Sequence, residues 1–68
     1  MIVLLPSHAS EIPPNELQPK TLAKLMQLVQ EKGDKGEITR TWFSAENMTF
    51  YVLVEGEGAP TTYEFSGF

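Results

Sequence analysis

The stretch NMTFYVLVEGEGAPTTYEF, residues 47–65, sets the architecture of this 68-residue chain. It contains two runs rich in β-branched and aromatic residues on either side of a loop with two glycines, a pattern that predicts a β-hairpin. The first run is apolar on both faces of its strand, because Phe50, Val52 and Val54 alternate with Tyr51 and Leu53. A chain this short buries little surface, so the second face needs a cover that the hairpin does not supply.

A further strand is predicted before this hairpin by EITRTWFSA, residues 37–45. A tight reversal at residues 45–47 then pairs Ser44 with Met48, Trp42 with Phe50, Arg40 with Val52 and Ile38 with Val54. Across the next loop, the predicted pairs are Val52 with Tyr63 and Phe50 with Phe65. Both hairpins place their apolar side chains on the same face, and this agreement favours the register, since a slip by one residue would reverse the faces.

The run QPKTLAKLMQLVQEKG, residues 18–33, predicts a helix over residues 19–32. Pro19 suits the first helical position, and Gly33 is a typical C-terminal stop. One apolar stripe follows the helical repeat: Leu22, Leu25, Met26 and Val29. This stripe is the natural cover for the apolar face of the sheet.

These elements predict an α+β fold in a single small domain, residues 1–68, with one helix packed on a three-stranded antiparallel meander over residues 37–66. The N-terminal segment, residues 1–15, is harder to assign. The apolar run MIVLL, residues 1–5, predicts either a buried strand or a segment that docks on another surface. It could add a fourth strand at an edge or pair with a second subunit, whereas the proline-rich residues 6–15 predict an irregular connection.

Composition excludes several classes of function. The net charge is −4, from nine acidic and five basic side chains, which disfavours nucleic-acid binding and suits a basic protein partner. The absence of cysteine excludes disulfides and thiolate metal sites and fits a reducing cytoplasm. The apolar run at residues 1–5 is shorter than a signal-peptide core of about 7–15 residues or a membrane span of about 20. We therefore expect a cytoplasmic protein that binds neither nucleic acid nor membrane.

No motif indicates catalysis, a metal or a cofactor. His8, the only histidine, lies in a loop beside Ser7 and Ser10, where triad partners seldom converge. The acidic residues of EKGDKGE, residues 31–37, lack the alternating spacing of a calcium loop. The GEG at residues 56–58 has no following Lys-Ser or Lys-Thr and opens no helix, so it predicts a hairpin loop. We expect a protein that is not an enzyme and binds no cofactor.

The second sheet face carries the candidate partner-binding residues. In the predicted register, Phe43, Tyr51 and Leu53 form an apolar patch among small polar side chains, and such a patch often marks an interaction site. Three alternatives remain open: the rings are partly exposed, the N-terminal segment folds over them, or the C-terminal Phe68 does so.

Arg40 is the other candidate. The register places it on the helix-facing side, where its stem can lie on apolar surface and its guanidinium can stack on Trp42 or Tyr63. A contact with an anion or a partner is the alternative interpretation.

The succession of IPPNEL, a helix with LMQLV, and NMTFYVLVEGEG followed by TTYEFSGF resembles the emfourin-like family over roughly residues 12–66. These small bacterial proteins are named for an inhibitor of thermolysin-type metalloproteases. In that family a double proline leads into a helix with an LxxLV pattern, and strands follow. The present chain lacks the glycine-rich opening hairpin that such proteins usually carry, so no inhibitory residue is carried over. The resemblance implies a binding role without catalysis.

The sequence thus predicts a small, non-enzymatic protein-interaction module, a regulator or inhibitor of another protein. The alternative is a structural homo-oligomer or a small subunit of a larger complex, with the second face and residues 1–5 buried by association.

Overall fold

A computed structural model of the chain describes residues 9–68. The elements are β1 (Ser10–Ile12), a short 3-10 helix (Pro14–Glu16), α1 (Pro19–Glu31), β2 (Glu37–Ser44), β3 (Thr49–Glu55) and β4 (Thr61–Ser66). The strands form one antiparallel sheet in the order β1-β2-β3-β4, and α1 packs on one of its faces. The predicted α+β fold is confirmed.

Helix α1 begins and ends close to the predicted residues. Pro19 occupies the first turn and follows Gln18, whose backbone is extended and whose side chain makes no capping bond. After Glu31 the chain turns at Gly33, which has a φ of 82°, a left-handed conformation that glycine adopts without strain. The N–H of Gly33 donates to the carbonyl oxygen of Gln30 at 2.9 Å, so one of the last free carbonyls of the helix is satisfied.

The core lies between α1 and the face of the sheet that it covers. Leu25 and Val29 of α1 are buried against apolar side chains of the central strand β3 and the edge strand β4: Phe50, Val52, Val54 and Phe65. The C-terminal Phe68 joins this side, since its ring packs edge-on against Phe50 with centroids 4.9 Å apart. The interpretation in which Phe68 folds over the second face is therefore wrong.

The β3–β4 register is confirmed. Val52 pairs with Tyr63 and Phe50 pairs with Phe65.

The β2–β3 register differs from the prediction by one residue over most of its length. Ser44 pairs with Thr49, not with Met48, because the reversal uses four residues, 45–48, and Met48 has a φ of 49°. A β-bulge between Ile38 and Arg40 absorbs the extra residue, so Ile38 still pairs with Val54 as predicted.

The shifted register changes which side chains face the helix. Phe43 pairs with Phe50 and Arg40 pairs with Leu53, so the prediction was wrong for both residues. Phe43 points toward α1, with its ring centroid 4.7 Å from that of Phe50. Arg40 and Trp42 point to the opposite side, because side chains alternate along a strand.

The fourth strand lies in a segment that we expected to be irregular. β1 covers Ser10–Ile12 and pairs Ser10 with Phe43, Glu11 with Trp42 and Ile12 with Thr41. The Thr41 hydroxyl donates to the carbonyl oxygen of Ile12 and fixes this short edge strand. The predictions for residues 1–5, as a strand or docking segment, and for His8 fall outside the described residues.

Candidate interaction face

The side of the sheet turned away from α1 is called the second face. The register assigns its side chains in rows across the strands: Glu11, Trp42, Tyr51 and Glu64; Arg40, Leu53 and Thr62; Ser44, Thr49 and Ser66. The burial of these residues is uneven. Tyr51 is 6% exposed, Trp42 and Leu53 are half-buried, and Arg40 and Glu64 are exposed.

Arg40 is held in place by two neighbours on this face. Its Nε and Nη2 donate to the two carboxylate oxygens of Glu11 at 2.8 and 2.7 Å. Its guanidinium also lies 4.9 Å from the ring centroid of Trp42. The bidentate pair and the stacked ring fix the arginine in one orientation, although its side chain remains 52% exposed.

The electrostatics of the pair follow from this geometry. The hydrogen bond from Arg40 lowers the pKa of the Glu11 carboxyl, although partial desolvation opposes the shift. The same bond raises the pKa of the Arg40 guanidinium. Both groups are therefore held in their charged forms, and the pair is neutral as a unit.

An acidic region lies beyond Arg40 on the same face. Glu37 and Glu55 are directly opposite in the β2–β3 ladder, an arrangement of like charges that a sheet normally avoids. The hydroxyl of Thr39, at the bulge, donates to Glu55 Oε1 at 2.6 Å and offsets part of this repulsion. Glu64 on β4 is a further exposed carboxylate on this face.

The four predicted partner-binding residues do not all lie on the same face of the sheet. It brings Arg40, Tyr51 and Leu53 together on the second face and places Phe43 in the helix-facing core. Sequence reasoning missed Trp42, which takes the position expected for Phe43 beside Tyr51. One clue was present: residues 45–48 contain no Asn-Gly or Asp-Gly pair, so a two-residue turn was not indicated.

A polar groove lies at one end of the molecule, between the C-terminal end of α1 and the β3–β4 loop. Asp34 anchors it, since one carboxylate oxygen accepts from the Gly36 N–H at 2.8 Å and the other accepts from the Tyr63 hydroxyl at 2.9 Å. The bond to Asp34 raises the pKa of Tyr63. This carboxylate is occupied in holding the loop after α1 to β4.

Among residues 9–68, no three or more carboxylate, histidine or cysteine side chains come together in a way that could hold a metal ion. Within the same residues, no helix has the length and apolar character needed to cross a bilayer.

Comparison with protein-family models, with curated proteins and with solved structures finds no match. The resemblance to emfourin-like proteins therefore stays a prediction.

Proposed function

We propose that this protein is a non-enzymatic protein-interaction module. Its partner contacts Arg40, Trp42 and Leu53, which are called the Trp42 patch. The observation that supports this proposal is the position of two half-buried apolar side chains, Trp42 and Leu53, on a sheet face that neither described helix covers. They are diagonal neighbours in the β2–β3 ladder, close enough to form one contact surface.

The residue types of the patch suit protein binding. Tryptophan and arginine are enriched among the residues that contribute most to interface affinity. Arg40 is already fixed by Glu11 and by the Trp42 ring, so little side-chain entropy is lost when a partner binds. The patch is thus prepared for binding before the partner arrives.

The charges around the patch favour a basic partner. Glu37, Glu55 and Glu64 lie on the same face as the patch, and the charge of Arg40 is already neutralised by Glu11. The whole chain carries a net charge of −4. A surface that offers an apolar side chain between lysines or arginines complements this arrangement.

The module regulates or inhibits its partner by binding to it, without a chemical reaction. The resemblance to emfourin-like proteins supports an enzyme as the partner, and protein binding in the cytoplasm is consistent with a chain that has no cysteine.

A capture experiment tests the proposal. Immobilised wild-type protein is compared with a Trp42→Ser/Leu53→Ser variant and with Met26→Ser, a control that alters an apolar side chain on α1 that is 47% exposed. All three are first shown to be folded by circular dichroism. We expect wild type and the control to retain the same protein, the double variant to lose it, and retention to weaken with added salt. Equal retention by all three baits would contradict the proposal.

Self-association is a second candidate, favoured by the outer edge of β4. This six-residue strand ends the sheet and has no strand partner among the described residues beyond β3. An open edge of this length is a template for pairing with another strand, and two β4 edges could pair around a two-fold axis. Light scattering that gives twice the chain mass, and a monomer mass after Thr62→Pro, would favour this candidate.

A further inference from the structure

The two edges of the sheet differ in how well they are protected against pairing with another strand. β1, at one edge, has three residues and is followed by Pro13 and Pro14, which cannot donate to a ladder. β4, at the other edge, has six residues, contains no proline or lysine, and pairs with β3 in an unbroken register. Short length, proline, lysine and bulges are the usual features that keep an edge from pairing. The outer edge of β4 has none of these features and no strand partner among residues 9–68.

We propose that β4 pairs in antiparallel orientation with β4 of a second copy of this chain, in the register that places Tyr63 opposite the same residue of the copy. This inference rests on self-association, the second candidate function above, and adds to it the symmetry, the register and the residues in contact. It does not depend on the partner that binds the Trp42 patch.

Symmetry limits the registers that such a pair can adopt. Two identical antiparallel strands are related by a two-fold axis perpendicular to the sheet, and this axis keeps every side chain on its own face. Because residues directly opposite each other lie on the same face, one residue of β4 has to lie opposite itself. With Tyr63 at this centre, residues 61–65 pair, and with Glu64 at the centre, residues 62–66 pair. Any other centre gives a shorter ladder within the strand.

The charge of Glu64 decides between these two registers. A centre at Glu64 places two carboxylates directly opposite each other, which destabilises a strand pair. A centre at Tyr63 places Glu64 opposite Thr62 of the copy, where a threonine hydroxyl is available to donate to the carboxylate. The same contact occurs within the chain between β2 and β3, where the Thr39 hydroxyl donates to Glu55 Oε1 at 2.6 Å. The register centred on Tyr63 is therefore self-complementary.

The helix-facing side of β4 also suits this register. Tyr63 is half-buried, and its ring stacks on that of Phe65 with the centroids 6.0 Å apart. Its hydroxyl donates to Asp34 at 2.9 Å, so the ring is already fixed in orientation. In the dimer, the two Tyr63 rings meet at the axis and remove apolar surface from water, which contributes favourably in proportion to the area buried.

The pairing leaves the proposed binding surface open. Because the axis preserves the faces, the two sheets join into one continuous sheet, with both copies of α1 on one side and both Trp42 patches on the other. The patch residues belong to β2 and β3 and not to the new ladder. Dimer formation and partner binding are therefore compatible.

Single cysteines test the register, because the chain has no cysteine of its own. Thr62→Cys and Glu64→Cys, both on the second face, are oxidised separately and as an equimolar mixture. We expect a disulfide-linked dimer in the mixture, since opposite residues have Cα atoms about 4.5–5.5 Å apart, a distance that a disulfide spans. Each variant alone should stay unlinked, because its two cysteines are offset by two residues along the strand, with Cα atoms roughly 8 Å apart.

A third variant, Gln27→Cys, measures linkage by random collision, because Gln27 is exposed on α1. Non-reducing gel electrophoresis gives the linked fraction for each variant and for the mixture. Light scattering of the wild-type chain gives its mass, which we expect to be twice that of one chain.

The possible failures are distinguishable. Linkage of Glu64→Cys alone, or of Thr62→Cys alone, above the level of Gln27→Cys would place the axis at that residue, which overturns the register and leaves self-association intact. A monomer mass for the wild-type chain, with linkage in the mixture no greater than for Gln27→Cys, would overturn both the inference and the self-association on which it rests. Neither result bears on partner capture through the Trp42 patch, which has its own test.

Discussion

Trp42 and Tyr51 lie directly opposite each other in the β2–β3 ladder, on the face of the sheet that α1 does not cover. This pairing depends on the bulge between Ile38 and Arg40, which offsets the four-residue turn at the other end of the strands. Because of this register, Phe43 belongs to the core and Trp42 belongs to the surface that we propose for binding.

The exchange of roles between Phe43 and Trp42 predicts opposite mutational effects. Phe43→Ser removes a ring packed 4.7 Å from Phe50 and should lower the free energy of unfolding by about 1–3 kcal/mol, less than a fully buried phenylalanine. Trp42→Ser should cost less stability and abolish partner capture. Urea denaturation of both variants measures the difference, and a larger stability loss for Trp42→Ser would argue against the observed register.

The Glu11–Arg40 pair predicts an acid-dependent contribution to stability. The folded-state pKa of Glu11 is lowered by its bond to Arg40, so the contribution is fully present above the pKa of a free glutamate, about 4.3. It is lost as the pH falls through the lowered folded-state value. The stability advantage of wild type over Glu11→Gln should therefore be constant near neutral pH and vanish in acid. An advantage that does not change with pH would refute the role of the pair.

The hydrogen bond between Tyr63 and Asp34 predicts a contribution to stability that is lost in alkali rather than in acid. The folded-state pKa of Tyr63 is raised by this bond, so its contribution is fully present below the pKa of a free tyrosine, about 10. It is lost as the pH rises through the raised value. Wild type should therefore be more stable than Tyr63→Phe near neutral pH, and the two should converge in alkali, as measured by urea denaturation at each pH. If the free energies of unfolding of the two proteins converged in acid instead, a group other than Tyr63 would be responsible for the pH dependence.

The close approach of Gly36 to β3 predicts that this position requires glycine. A β-carbon there would lie 2.8 Å from the carbonyl oxygen of Glu55 and 2.8 Å from Val54 Cγ1, both of which are fixed in the sheet. Gly36→Ala should cost about 1–3 kcal/mol, whereas Lys35→Ala, at the exposed neighbouring position, should change stability by less than about 0.5 kcal/mol. Thermal unfolding of the two variants provides the test, and equal midpoints would mean that the loop can move aside.

The sequence was sufficient for the helix and for the β3–β4 hairpin, because both depend on local patterns. The apolar stripe with Leu25 and Val29 has the helical repeat, and the alternation around Val52 and Tyr63 has the repeat of a strand. The predictions failed where the chain departs from an ideal repeat by one residue. The longer turn and the bulge are such departures, and together they exchanged the faces of Phe43 and Trp42.

β1 was missed for a different reason. Ser10–Ile12 has three residues, of which only Ile12 is apolar, so it has no periodicity to detect. It is fixed by tertiary contacts, the ladder to β2 and the Glu11–Arg40 pair, which link residues far apart in sequence. The predicted site therefore lacked Glu11, which lies on β1 and binds Arg40.

Site-specific photo-crosslinking in the cell that makes the protein examines the proposed binding surface most directly. A photoreactive side chain is placed at Thr62, which pairs with Leu53 on the second face, and separately at Gln27, which is exposed on α1. A second protein covalently joined through position 62 and absent with position 27 is the result we expect. Crosslinking through position 27 alone, or equally through both, would contradict the assignment of the second face as the binding surface.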